Sequence, residues 1–406
     1  MPLLDLAAVR SAFPALAASD WAYFDNAGGS QVLRGVAHRV SDYLLTTSVQ
    51  LGATYEPSRV AAERFAQARA RIALMIGASR AEEVVLGPST TQLMRNLCAA
   101  MASQFAPGDE IVLTDFDHES NIGPWLQLQE RGVVVKWWSV RPDFTIDLAD
   151  LDALLGPKTK LVCVTHASNI LGTINPIPAI AERVHAAGAR LCVDAVAYAP
   201  HRAVDVVASG ADYYVFSFYK TYGPHFAVQW GRHDALLELD GLYHWFYGKE
   251  KVPGKLEPGN ANYELAWGSA GIVDYLEGLG GGEGRKAIVA AFEGIAHHEE
   301  LLAERLLGWL RARNDVTIVG EREASRDKRV PTISFKVAGR DSAQIVTTVD
   351  RRRIGIRHGD FHSRRLVERL GLSPGNGVVR VSMVHYNTLE EVDRLVEALD
   401  EALGSP

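Results

Sequence analysis

From about residue 80 to 232 the chain repeats one rhythm, a short apolar run, a turn, then a stretch with helical spacing. The runs are EVVLG (83–87), EIVLTD (110–115), VVVKWWSV (133–140), KLVCVTHA (160–167), ARLCVDAV (189–196), YYVFSF (213–218) and AVQWG (227–231). They are rich in Val and Ile and nearly continuous in apolarity, which suits strands covered on both faces. Between them lie helical stretches such as 176–187 (PIPAIAERVHAA), with Pro near the start and Gly188 just past the end. The pattern predicts an α/β doubly wound plan, a mostly parallel seven-stranded sheet between helices.

After residue 240 the rhythm stops. Residues 248–264 (GKEKVPGKLEPGNANYE) are rich in Gly, Pro, Lys and Asn and predict a loop. A long helical pattern fills roughly 281–312, and strand candidates VTIVG, VPTISFKV (330–337) and VVRVSMV (378–384) follow. The last helix carries a capping box, Thr388 with Glu391, and apolar Leu389, Val392, Leu395, Val396 and Leu399 on one face. This half reads as a smaller α+β domain. The expected division is an N-terminal arm helix (1–20) packing with the small domain, a large domain (21–270) and a small C-terminal domain (271–406).

Charge and cysteine content remove several function classes. A net charge of −7 gives no electrostatic reason to bind nucleic acid or an anionic membrane. Cys98, Cys163 and Cys192 are too few and scattered for a disulfide framework or a zinc site, and no metal is expected. The N-terminus reads as an amphipathic helix, no run approaches an uncharged membrane span, and a cytoplasmic protein is expected.

In an open parallel sheet, ligands gather at the carboxyl ends of the strands, so polar residues there carry the chemical interest. Asp194 ends the run RLCVD, where a carboxylate is costly to bury without a partner. It is either a helix cap or the partner of a protonated pyridine nitrogen. Lys220 ends YYVFSFYK; it is either a solvated lysine or, if desolvated, an amine able to hold a cofactor as a Schiff base. Pro88-Ser89-Thr90-Thr91 opens a helix after EVVLG, and with Ser217 could hold a phosphate. His118, in DFDHESNIGPW, is a surface residue or a ring stacked on a flat cofactor. Asn169 could bond a ring hydroxyl, and Arg357 and Arg380 could grip a substrate carboxylate as forks. Each bland reading prevails singly. Taken together, the phosphate loop, His118, Asn169, Asp194, Ser217 and Lys220, in one order at the ends of the strands, point to pyridoxal 5'-phosphate.

Those residues and their segments, DHESNIGPW, THASNILGTINPI, VDAVAYAPH, GADYYVFSFYKTYGPH and RVSMVHYNTLEEVD, resemble the class V aminotransferase family, in its cysteine desulfurase and selenocysteine lyase branch. The resemblance runs from Tyr23 (YFDNAGG) to the last helix. It implies a fold-type-I pyridoxal-phosphate enzyme acting on a small-molecule amino acid, as a homodimer with the active site at the subunit interface. It implies Lys220 as the Schiff-base lysine, Asp194 under the pyridine nitrogen and His118 on the ring. Thr90, Thr91 and Ser217 would lie near the phosphate, Asn169 near the ring hydroxyl, and Arg357 and Arg380 on substrate.

Departures from the family shape the functional expectation. Desulfurases of this branch carry a Gly-His-His-Cys-like loop whose cysteine takes sulfur as a persulfide; here His362 holds that position. The Gln usually found three residues after the Asp is Ala197, and the His before the lysine is Tyr219, counted here among the cofactor residues. Where the partner subunit's phosphate ligand is a Thr in the family, this chain has Asn260, which could still donate a hydrogen bond. Without the loop cysteine, the expected reaction is β-elimination by a C–S (or similar C–X) lyase on a cysteine derivative. His362 would be a possible acid for the leaving group, or simply a surface histidine. The alternatives are an aminotransferase, decarboxylase or epimerase, a true desulfurase, which the missing cysteine disfavours, and a non-catalytic cofactor-binding protein.

Overall fold

The computed structural model describes residues 4–404. All seven apolar runs form strands of one sheet: β1 (Val84–Gly87), β2 (Glu110–Thr114), β3 (Val134–Trp138), β4 (Thr159–Thr165), β5 (Arg190–Asp194), β6 (Tyr213–Ser217) and β7 (Ala227–Gly231). Their order across the sheet is β1-β7-β6-β5-β4-β2-β3. Only β7 runs against its neighbours, pairing antiparallel with both β1 and β6. The carboxyl ends of β1, β2, β4, β5 and β6 therefore face one edge, where the doubly wound plan places a ligand.

Three helices were not marked by the sequence pattern: Arg34–Thr46, Glu56–Ile76 and Tyr263–Leu279. The last packs against the other two and against the long helix Gly284–Arg311. Its sequence, YELAWGSAGIVDYLEGL, is apolar almost all round, so no polar face betrays it. It passes through residue 270 without a break.

The small domain is a four-stranded antiparallel sheet built from β8 (Val316–Val319), β9 (Thr332–Val337), β10 (Arg357–Gly359) and β11 (Val378–Ser382), in the order β10-β11-β9-β8. Helix Leu389–Leu403 covers it, and its capping box of Thr388 with Glu391 forms as the pattern predicts. The N-terminal arm, helices Leu6–Ser11 and Pro14–Ala17, lies at the domain junction. There Arg10 donates to the Tyr386 carbonyl at 2.7 Å and to Glu391 at 2.9 Å, while Phe13 is buried against Tyr222 and Tyr386.

The two domains are also stitched behind β4. Val330 N–H donates to the Gly172 carbonyl at 2.9 Å and Ile174 N–H to the Lys328 carbonyl at 2.8 Å. Gly172 has φ +72°, and a Cβ there would lie 2.4 Å from the Thr332 carbonyl oxygen. A side chain at this point meets both a left-handed backbone and immovable main chain. Gly172→Ala should cost about 2–4 kcal/mol, read as a lowered urea midpoint with an unchanged slope.

Candidate active site

At the shared strand edge the chain folds around one cavity. Seven strand-end or turn residues singled out from sequence line it, Thr90, Thr91, His118, Asn169, Asp194, Ser217 and Lys220, and so does Tyr219. The register explains how distant residues meet. Gly87 and Ser217 both pair with Ala227 of β7, so β1 and β6 end side by side. The Thr90 hydroxyl then lies 2.7 Å from that of Ser217. Ser89 caps the helix Thr90–Met101 by accepting from Gln92 N–H. One end of the cavity thus offers two hydroxyls and the amides of a helix N-terminus, a setting for a phosphate.

The opposite end is acidic and buried. Asp194 accepts from Val196 N–H at 2.9 Å through Oδ1, while its buried Oδ2 has no hydrogen-bond partner. Burial pushes this carboxyl up to about 6; the Val196 amide, the Lys220 charge and the Ser120 hydroxyl offset it only in part. Behind it Asp117 is also buried, and burial pushes it up to about 7. Asp117 accepts from Asn121 at 2.8 Å and from Thr165 N–H at 2.9 Å, tying the loop after β2 to the end of β4.

His118 is held by that loop. Its Nδ1 accepts from Ser120 N–H at 3.1 Å and lies 2.8 Å from the Ser120 hydroxyl. The ring proton is therefore assigned to Nε2. Burial first, then the neighbouring Lys220, His362 and Arg380, lower this imidazole to about 3, so it is neutral at physiological pH. Lys220 stands in the short turn Phe218–Lys220 after β6 and is itself buried. Burial first, then Arg380 and Arg357, bring its amine down to about 8, with Asp194 and Asp25 acting in the opposite direction.

A cavity with a phosphate setting at one end, an unpartnered carboxylate oxygen at the other and a desolvated lysine in its wall fits pyridoxal phosphate. Thr90, Thr91 and Ser217 would hold its phosphate, Asp194 its ring nitrogen and Lys220 its aldehyde carbon.

The remaining residues lie around this centre. Asn169 lines the cavity, but its Nδ2 donates to the Phe361 carbonyl at 3.0 Å and its Oδ1 accepts from Ser363 at 2.8 Å. Its amide is a clamp on the loop 361–363. That loop puts His362 beside the site, with its ring centroid 5.3 Å from that of His118. Phe361 and His362 both adopt left-handed backbone, φ 52° and 58°, a strained pair held by surrounding contacts. Glu119 N–H donates to the His362 carbonyl at 2.8 Å, and the Glu119 carboxylate takes both Nε and Nη2 of Arg365 at 3.1 Å.

Arg357 and Arg380 meet at Asp25, a residue the sequence reading did not single out. Tyr219 stacks on His225, centroids 4.9 Å apart. Asn260 is exposed and away from the cavity of its own chain, at φ 66° in a loop anchored by Glu257. Glu257 binds Arg69 at 2.8 and 2.9 Å and Leu86 N–H at 2.8 Å. Trp125 and His385 are core residues, and Tyr55, Trp245 and Phe246 are exposed. Cys98, Cys163 and Cys192 are all buried; Cys163 and Cys192 are register partners within β4 and β5.

Among the described residues no helix is long and apolar enough to cross a membrane, and no acidic, histidine or cysteine cluster could hold a metal ion. The family described as Aminotransferase class-V matches residues 22–395. A relative from Gibberella zeae, "Aminotransferase-like protein FGM3", is 46% identical over 97% of this chain and 98% of its own length. "Cysteine desulfurase-like protein ustD" from Aspergillus flavus is 34% identical over 98% of this chain and 91% of its own. Among solved structures, an apo cysteine desulfurase from Thermococcus onnurineus NA1 superposes with TM-score 0.89 at 26% identity, covering 99% of this chain and 98% of that one. The chain belongs to the class V aminotransferase family and is a fold-type-I enzyme that uses pyridoxal phosphate.

Proposed function

We propose that the chain is a β-lyase that breaks a C–S (or similar C–X) bond in a cysteine derivative. The observation that carries this reading is at the loop position where a sulfur-accepting thiol would have to stand. There the chain has His362, its ring beside His118, and all three thiols are buried elsewhere.

Pyridoxal phosphate, when bound, supplies the electron sink that stabilises negative charge at the α-carbon. The Lys220 amine, already lowered by burial, takes the α-proton. His118, neutral and fixed by Ser120, covers the site without adding charge. Arg380 and Arg357 receive the substrate carboxylate. His362 gives a proton to the departing sulfur. An S-substituted cysteine and water then yield pyruvate, ammonium and the free thiol, with atoms balanced.

The same reading suits a homodimer, with Asn260 serving the partner's phosphate end. It is supported by exposed Leu45 and Trp245, large apolar surfaces of the kind that a second chain would cover. Free buried thiols suit a reducing compartment such as the cytoplasm.

The test is product identification with the cofactor-loaded protein, L-cysteine and several S-substituted cysteines, on a preparation whose molar mass is also measured. Pyruvate, ammonia and thiol in equal amounts support the lyase. Alanine with sulfane sulfur would sink it in favour of desulfuration, and amino transfer to a 2-oxo acid would replace it with a transaminase. His362→Ala should slow elimination of a poor alkylthiol leaving group about 100-fold, with little effect on an activated arylthiol.

A further inference from the structure

Arg357 and Arg380 are direct cross-strand partners on β10 and β11. Two like charges placed opposite each other on one face of a sheet repel, so this pair needs a counterion or a purpose. Asp25 supplies the counterion. Its Oδ1 accepts from Arg380 Nη2 at 3.2 Å and its Oδ2 from Arg357 Nη1 at 3.4 Å. The Phe361 ring packs on the same pair, 3.7 Å from the Arg380 guanidinium carbon and 5.8 Å from that of Arg357. Arg380 is only 2% exposed, and its Nη1 donates to the Asn169 carbonyl at 3.2 Å. Its Nε is buried with no partner at all.

The carboxylate is placed by backbone. Segment 24–27 runs beside the end of β11, where Ser382 N–H donates to the Phe24 carbonyl at 2.7 Å and Ala27 N–H to the Ser382 hydroxyl at 2.8 Å. Gly28 closes the turn, and a Cβ there would come within 2.7 Å of Asp25 Oδ2. Two cations and one protein carboxylate leave one positive charge unmatched. One substrate carboxylate answers it.

We propose that Asp25 is a positioning residue for substrate recognition: it holds Arg357 and Arg380 in a single preformed fork, aimed to receive the α-carboxylate of the amino-acid substrate. The inference rests on the proposed function only in taking the substrate to be an α-amino acid. It is indifferent to which bond breaks.

The experiment compares L-cysteine with cysteamine, the same molecule without its carboxylate, as ligands of the cofactor-loaded enzyme. Binding is read from the change in cofactor absorbance. In the wild type L-cysteine should bind more tightly. Asp25→Asn should weaken L-cysteine about 10- to 100-fold and leave cysteamine unchanged. In turnover the loss should fall on KM, with kcat within a few-fold. Gly28→Ala displaces the carboxylate without removing it, and should give the same pattern in weaker form even if Asp25→Asn folds poorly. Tighter L-cysteine binding in Asp25→Asn would mean that Asp25 competes with substrate, and the proposal would be wrong. Equal loss for both ligands, or equal binding of the two by the wild type, would also overturn it. Failure of the lyase reading appears instead in the products, so the two failures are distinguishable.

Discussion

Lys220→Ala should abolish turnover, by a factor of more than about 10⁴, and leave a folded chain that binds pyridoxal phosphate without a covalent link. The expected size of the loss follows from the two tasks proposed for this one amine, attachment of the cofactor and movement of the α-proton. The chain has prepared that amine. Burial in the turn after β6, with Arg380 near it, lowers Lys220 to about 8. At pH 7.5 roughly a quarter of such amines are neutral, against about one in a thousand for an ordinary lysine. Cofactor uptake by the apo chain should therefore quicken as pH rises through about 8 and then level off. A rate still climbing toward 10 would mean that the lysine is solvated. Retained turnover in Lys220→Ala would remove this residue from the chemistry.

Asp194→Asn should lower activity about 10²- to 10⁴-fold while making the apo chain less sensitive to pH. The activity loss comes from replacing a carboxylate with an amide that cannot hold a protonated ring nitrogen by charge. The stability effect has the opposite sign. Burial raises this carboxyl to about 6 in the folded chain, above its unfolded value near 3.8. The folded state thus binds the proton more tightly than the unfolded one. Stability is greatest below the unfolded value, falls as pH rises toward 6 and is flat above. Relative to the variant, the wild-type apo chain should lose about 2–3 kcal/mol between pH 4 and pH 7. Urea titrations at several pH values on both proteins measure it. Parallel curves would mean that Asp194 is solvated, in conflict with its unpartnered oxygen.

The large sheet was legible because strands covered on both faces write their burial directly as apolar runs. That the candidate residues would cluster was legible for a related reason. Asp194 and Lys220 are polar residues ending such runs, and the sheet topology brings those ends together without further information. Asp25 was not legible. In YFDNAGG it reads as a turn former, and its role depends on β11 lying beside it, some 355 residues away. The facing of Arg357 with Arg380 likewise follows from strand register, which single residues do not announce. Asn169 does line the cavity with the other candidates, but its amide is turned to the Phe361–Ser363 loop by contacts from the other domain. The helix Tyr263–Leu279 escaped because burial on most sides erases the periodicity by which helices are read.

The loop at 361–363 is tied from three sides, by Asn169, by the Glu119 amide and by the Glu119–Arg365 pair. A thiol that collects sulfur in an active site and hands it to another protein must travel between the two places. Installing one by His362→Cys alone would put it on a tether too short for the journey. If the proposed β-lyase reading holds, this chain would be separated from an enzyme that delivers sulfur by the fastenings of the loop as well as by the residue at 362. A route from one to the other passes first through loosening Glu119 and Asn169.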